Sequence, residues 1–155
     1  MVFNYGSECA LLSLWVIFNP RVFVYTSHSL DPENPVYTYF VVRNEGHFNI
    51  HDVTFSCSIE EIELISGTKI IAEAPLDNRF SDPSQTARII APGEEYSALL
   101  PLSGLKDNKF KSGVIAVGLS FRPSFRRRDY KKKHRFEICT AKDGKRHWLH
   151  QPLNK

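Results

Sequence analysis

Val53-Thr54-Phe55-Ser56-Cys57-Ser58-Ile59 is the stretch on which the fold turns. Apolar side chains stand at 53, 55, 57 and 59, and small polar ones at 54, 56 and 58. A period of two sends the two sets to opposite sides of an extended chain, so one face is buried and the other meets water. The β-branched and aromatic members suit a pleated surface. The same texture returns in both directions. Val22 and Val24 alternate with Arg21, Phe23 and Tyr25. Ile115, Val117, Leu119 and Phe121 alternate with Ala116, Gly118 and Ser120, and Phe136 and Ile138 alternate with Arg135, Glu137 and Cys139. Residues 36–43 are apolar on both faces and read as a central strand. Short strands at 87–90, around Tyr96, Ala98 and Leu100, and at Trp148 complete the set.

Turn chemistry separates these runs. Asp31-Pro32-Glu33-Asn34-Pro35 and Asn44-Glu45-Gly46 are turns. Ala91-Pro92-Gly93-Glu94 has the Pro-Gly order of a type II turn, whose third position needs a positive φ. Lys142-Asp143-Gly144-Lys145 predicts a tight hairpin of type I′ geometry. Residues 60–65 read as a helical turn or a strand edge; Ile70-Ile71 reads as a short edge strand, and 76–85 as a polar loop. Seven to nine short strands with a turn every 8–12 residues or so predict an all-β chain, an antiparallel β-sandwich of the immunoglobulin-like kind. There is no βαβ pattern, long amphipathic helix or internal repeat.

The chain has 155 residues, 42% of them hydrophobic, with 20 Lys and Arg against 17 Asp and Glu. This fits one ordinary domain and excludes a disordered charged tail, a polytopic membrane protein and a two-domain enzyme of normal size. Two parts are expected: a hydrophobic amino-terminal segment over 1–19 and a sandwich domain over 20–155. Residues 9–18 carry no charge, but a spanning helix needs about 20 apolar residues. A basic flank and a small-residue cleavage site are both missing. Three readings compete: a buried strand or helix, the remainder of a membrane anchor whose first turns lie upstream of Met1, and a poor signal sequence. Asn19-Pro20 ends the segment in each.

Phe40-x-Val42-x-Asn44-x-Gly46, then Val53-x-Phe55, then Ala91-Pro92-Gly93-Glu94, is similar to the adhesion-related and fibronectin-like immunoglobulin modules of bacteria. The order of hydrophobic segment, strands, basic hairpin and closing Asp-Gly, His-Trp and Gln-Pro resembles small, uncharacterised bacterial proteins with an amino-terminal membrane anchor. The resemblance spans roughly residues 9–152 and implies a β-sandwich presented at a membrane. Its motifs are turn chemistry that many sandwiches share.

Signs of catalysis are sparse. Cys9, Cys57 and Cys139 form no CxxC or zinc spacing. Alternation points Cys57 inward and Cys139 outward, which argues against a bridge between them. Ser66-Gly67-Thr68-Lys69 has the wrong order for a phosphate loop, and no Gly-x-Ser-x-Gly elbow occurs. His47 and His51 would share a face only on a helix, and His147 and His150 sit on a polar last strand. Glu60, Glu61, Glu63, Glu94 and Glu95 read as solvated faces. The expectation is no enzyme, no metal and no cofactor.

The strongest local feature runs from Arg122 to Arg135, with eight Lys or Arg and one acid. Residues 1–121 carry 8 basic and 14 acidic side chains, a net −6, while 122–155 carry 12 and 3, a net +9. The total of +3 therefore hides a polar molecule. Lying between two clear strands, the segment reads as a long hairpin tip, and its candidate contact residues are Arg126, Arg127, Arg128, Lys131, Lys132, Lys133 and Arg135. Four roles compete: a solvated hairpin that keeps a β edge from pairing, a contact for anionic lipid or envelope polymer, a nucleic-acid contact with Phe125 and Tyr130 stacking on bases, and a protein-partner surface. The reading carried forward is a non-catalytic interaction or structural module, membrane-associated or in the cell envelope, with the basic hairpin as its contact. The alternatives are a nucleic-acid-binding protein using the same hairpin and an enzyme with an unrecognised site; the alternative location is cytoplasmic.

Overall fold

The computed structural model describes residues 18–29, 35–77, 87–99 and 110–152. Within them the strands are β1 (Val22–Ser29), β2 (Thr38–Asn44), β3 (Ile50–Leu64), β4 (Lys69–Asp77), β5 (Ala87–Ile90), β6 (Glu95–Leu99), β7 (Phe110–Pro123), β8 (Tyr130–Thr140) and β9 (Arg146–Gln151). They form two antiparallel sheets. The smaller has the order β1-β2-β6; the larger has β4-β3-β7-β8-β9, with β5 also paired to β3. The apolar run 9–17, the turn residues 31–34, the loop 78–86 and Leu100 lie outside the described residues. Among the described residues, no helix is long and apolar enough to cross a membrane.

The two-residue period explains where the core sits. Val53, Phe55, Cys57 and Ile59 of β3 and Ile115, Val117, Leu119 and Phe121 of β7 are all buried. They meet Val22, Val24, Phe40, Val42 and Ala98 of the small sheet in one cluster. Phe40 and Phe136 join the sheets edge to face, with ring centroids 5.0 Å apart at 84°. At the β1–β9 side, Trp148 donates from Nε1 to the Pro35 carbonyl at 2.8 Å and accepts from Thr26 Oγ1 at 3.1 Å. Asn44, wholly buried, clasps the opposite end. Its Nδ2 donates to the carbonyls of Phe48 (2.8 Å) and Ile90 (3.0 Å), and its Oδ1 accepts from the Gly46 amide (3.0 Å). One side chain thereby ties the β2–β3 turn to the end of β5.

Several expectations change. Residues 60–64 are strand, with Ile62 and Leu64 buried beside Ile59. The pairing of β3 with β7 shifts between Ile59 and Glu61. A β-bulge there inserts an extra residue and moves the inward set to even numbers. A second shift between His51 and Thr54 surrounds Asp52, which has a φ of 51°. The central strand begins at Thr38, because Pro35–Tyr37 forms a 3₁₀ turn. The edge strand at Ile70-Ile71 is longer than expected and runs over Leu76 and Asp77, the first residues of the expected loop. The last hairpin is not type I′: only Gly144 has a positive φ, 79°, and its amide bonds to the Ala141 carbonyl at 3.0 Å. That geometry is a type I turn closed by a left-handed glycine. The Ala91–Glu94 turn has the expected form, with Gly93 at φ 83° and the Glu94 amide 3.0 Å from the Ala91 carbonyl.

Candidate functional site

The basic segment is not one loop. Strand β8 starts at Tyr130, paired with Phe121, so the lysines are strand residues and the tip is only 124–129. A strand sends neighbours to opposite faces, and this divides the seven candidate residues into three groups.

Arg126, Arg127 and Arg128 stand exposed at the tip. The tip is anchored on the β2–β3 turn. Ser124 donates to the Asn49 carbonyl from its amide (3.0 Å) and from its hydroxyl (2.8 Å), and its hydroxyl also lies 2.9 Å from His51 Nε2. An ion pair between Arg122 and Asp52 braces the base of the tip. Above this, Phe125 packs on Phe48 at 4.8 Å and on Phe18 at 5.4 Å, and Phe18 stacks on Phe48 at 5.5 Å. The Arg126 guanidinium lies over Phe125 at 5.8 Å and over Tyr130 at 5.3 Å. Tyr130 in turn stacks on the core ring of Phe121 at 5.8 Å. Sequence reasoning missed Phe18 and Phe48. The available signal was three phenylalanines at turn or chain-entry positions, which have no reason to be apolar unless they meet.

Lys132 falls on the inner face, in line with Phe136, so it is not grouped with the others. Burial lowers its pKa. Next on that face is His134, whose Nδ1 lies 3.2 Å from His150 Nε2 and whose buried Nε2 has no hydrogen-bond partner. Burial, then the neighbouring His150 and Lys132, push the His134 imidazole down from 6.5 to about 4. The folded state therefore holds fewer protons than the unfolded chain between those values, so acid favours unfolding. Stability should be intact above about pH 6.5 and fall toward about pH 4, and His134→Gln should flatten that slope in urea titrations run across the range.

Lys131, Lys133 and Arg135 share the outer face of the large sheet. Three successive rungs cross it: Thr54–Ser120–Lys131, Ser56–Gly118–Lys133 and Ser58–Ala116–Arg135. Each rung runs from a hydroxyl through a small residue to a cation. Glu60, expected to be merely solvated, pairs with Arg135 at 2.9 Å and with Lys133 at 3.8 Å. Glu61 and Glu63 pair with Lys69 (2.6 Å) and Lys111 (2.8 Å). Cys57 is wholly buried and its thiol is pushed up to about 12 by burial, so it is a poor nucleophile. Cys57 and Cys139 are both free thiols.

No protein-family model and no curated protein matches the chain. Among solved structures, it is similar to the X-ray structure of Northeast Structural Genomics Consortium target SoR45. The identity is 11%, the match covers 88% of this chain and 93% of that one, and the TM-score is 0.39. A likeness of that degree carries no argument about role.

Proposed function

We propose that the chain is a non-catalytic interaction module held with one end of its sandwich against an anionic membrane surface, the hairpin tip being the contact. The carrying observation is the place of Phe18. It is the last residue of the apolar run 9–18, and it packs on Phe48 and on Phe125 of the tip. The exit of the apolar run and the exposed arginines therefore share one end of the domain. Aromatic rings and cations are the residues that suit the headgroup region. Phe125 and Tyr130 pack on neighbouring rings and under the Arg126 guanidinium, which favours this reading over base stacking on the same two rings.

Strand order supports the immunoglobulin-like reading. The small sheet β1-β2-β6 follows the A-B-E order, and β4-β3-β7-β8 follows C′-C-F-G. The pairing of β5 with β3 puts the D-like strand on the second sheet, and β9 adds a strand beyond G.

Flotation of the full chain with phosphatidylglycerol-containing vesicles, against vesicles of phosphatidylcholine alone, tests the contact. At about 1 kcal/mol per arginine near an acidic surface, the combined Arg126→Ala, Arg127→Ala and Arg128→Ala variant should bind anionic vesicles roughly 100-fold more weakly. Equal partition of the unaltered chain between the two vesicle types would sink the reading.

A further inference from the structure

On the outer face of the large sheet lies an open trough of about 370 Å³, floored by Ser56, Ser58, Ala116 and Gly118 and bordered by Lys131 and Lys133, with Lys132 between them. We propose that this trough binds a linear, hydroxyl-rich polyanion of the polyol-phosphate type, lying along β8 with its anionic groups on Lys131 and Lys133. The inference goes beyond the membrane contact, because it uses the strand part of the hairpin and none of the tip arginines.

The row of cations along β8 supplies the charge: Lys131 and Lys133 border the trough, and Arg135 continues the row beyond it. Lys131, Lys133 and Arg135 recur every second residue on one face, which spaces their Cα atoms about 6–7 Å apart. Glu60 offsets one of the three cations, leaving a net of two positive charges on the row. Among the described residues, no carboxylate stands within 4.0 Å of Lys131, the cation farthest along the row from Glu60. A row with this excess, repeating at a fixed interval, suits a chain whose own charges repeat.

The floor supplies the selectivity. Gly118 lies so close to Ser56 that a Cβ on it would sit 2.3 Å from Ser56 Oγ. The absent side chain leaves the trough its depth at the middle rung. Ser56 and Ser58 bring hydroxyls that both donate and accept, whereas the cations only donate. A ligand that alternates anionic groups with hydroxyls can use both rows at once. A protein partner would want aromatic anchors at the centre, and this floor carries none. Single-stranded nucleic acid would want rings to stack on, and the three rungs carry none.

Calorimetric titration of the full chain with poly(glycerol phosphate) tests this, with an oligo(dT) of matched charge as the rival. The polyol phosphate should bind, and the oligo(dT) should bind more weakly. Lys131→Glu with Lys133→Glu should weaken binding by about tenfold or more, the worth of a lost charge-assisted contact. Gly118→Val, which raises the floor without touching charge, should also weaken it. The tip variant with three alanines should bind unchanged, which separates failure here from failure of the membrane reading. Thermal unfolding of each variant checks the fold, and Lys131→Ala with Lys133→Ala serves if the reversed charges prevent folding. The proposal is overturned by absence of binding, by oligo(dT) binding as tightly, by indifference to Gly118→Val in a folded protein, or by loss that follows the tip arginines.

Discussion

Replacing Asn44 with aspartate should destabilise the protein by about 4 kcal/mol at neutral pH, among the largest effects open to a single isosteric change. The side chain is wholly buried, and its Nδ2 serves the carbonyls of Phe48 and Ile90 at 2.8 and 3.0 Å. A carboxylate has no N–H to offer, so both carbonyls lose their donor and a charge faces two acceptors in a buried site. Each unsatisfied buried group costs about 1–3 kcal/mol, and an ionised one costs more. Burial raises the pKa of the new carboxyl above its unfolded value, so the folded state takes up the proton first. The deficit should therefore shrink as pH falls from neutral toward about 5, where Asn44→Ala shows no such recovery. Urea unfolding of the two variants at both pH values decides it. If Asn44→Asp is no worse than Asn44→Ala at neutral pH, the buried charge costs little; if both lose less than about 1 kcal/mol, the clasp contributes little.

Phe136→Ala is the second. The ring is fully buried and meets Phe40 edge to face at 5.0 Å, so its loss opens a void between the sheets rather than within one. Large-to-small changes of this kind cost about 3–5 kcal/mol, from lost transfer energy plus an unfilled cavity. Phe136→Leu should recover more than half of that, because most of the volume returns. Denaturation midpoints with unchanged m-values are the readout. A loss below about 1 kcal/mol would mean that the sheets close over the gap and that the interface is softer than its packing implies.

How far the chain can be read in advance depended on local contrast. Residues 53–59 alternate apolar with polar, and each lands on the face that alternation assigns. The next five residues defeated the same reading for a physical reason. A bulge at Glu60 shifts the inward set from Ile59 to Ile62 and Leu64, and an interval of three imitates a helix. The basic segment was conspicuous as charge, but Lys131-Lys132-Lys133 offers no contrast by which to assign faces. Counting back from Phe136 would have turned Lys132 and His134 inward, in agreement with their partial burial. The ring cluster of Phe18, Phe48 and Phe125 unites three distant positions, and the turn glycines and prolines that bring them together specify bends, not neighbours.

The lock at Trp148 has a kinetic consequence. Thr26 and Trp148 are 122 positions apart, and the indole of Trp148 also satisfies the Pro35 carbonyl. β1 can pair with β2 early, but the Thr26 hydroxyl and the Pro35 carbonyl find these partners only once β9 exists. During synthesis, β1 and the 3₁₀ turn must wait with these partners missing until β9 has left the ribosome. The long-range pairing of β3 with β7 adds to the delay. Chains dominated by such distant contacts fold in milliseconds to seconds rather than microseconds. Shortening the chain before Trp148 should leave a slow, aggregation-prone product rather than a smaller stable domain, because Thr26 and the Pro35 carbonyl lose their shared partner.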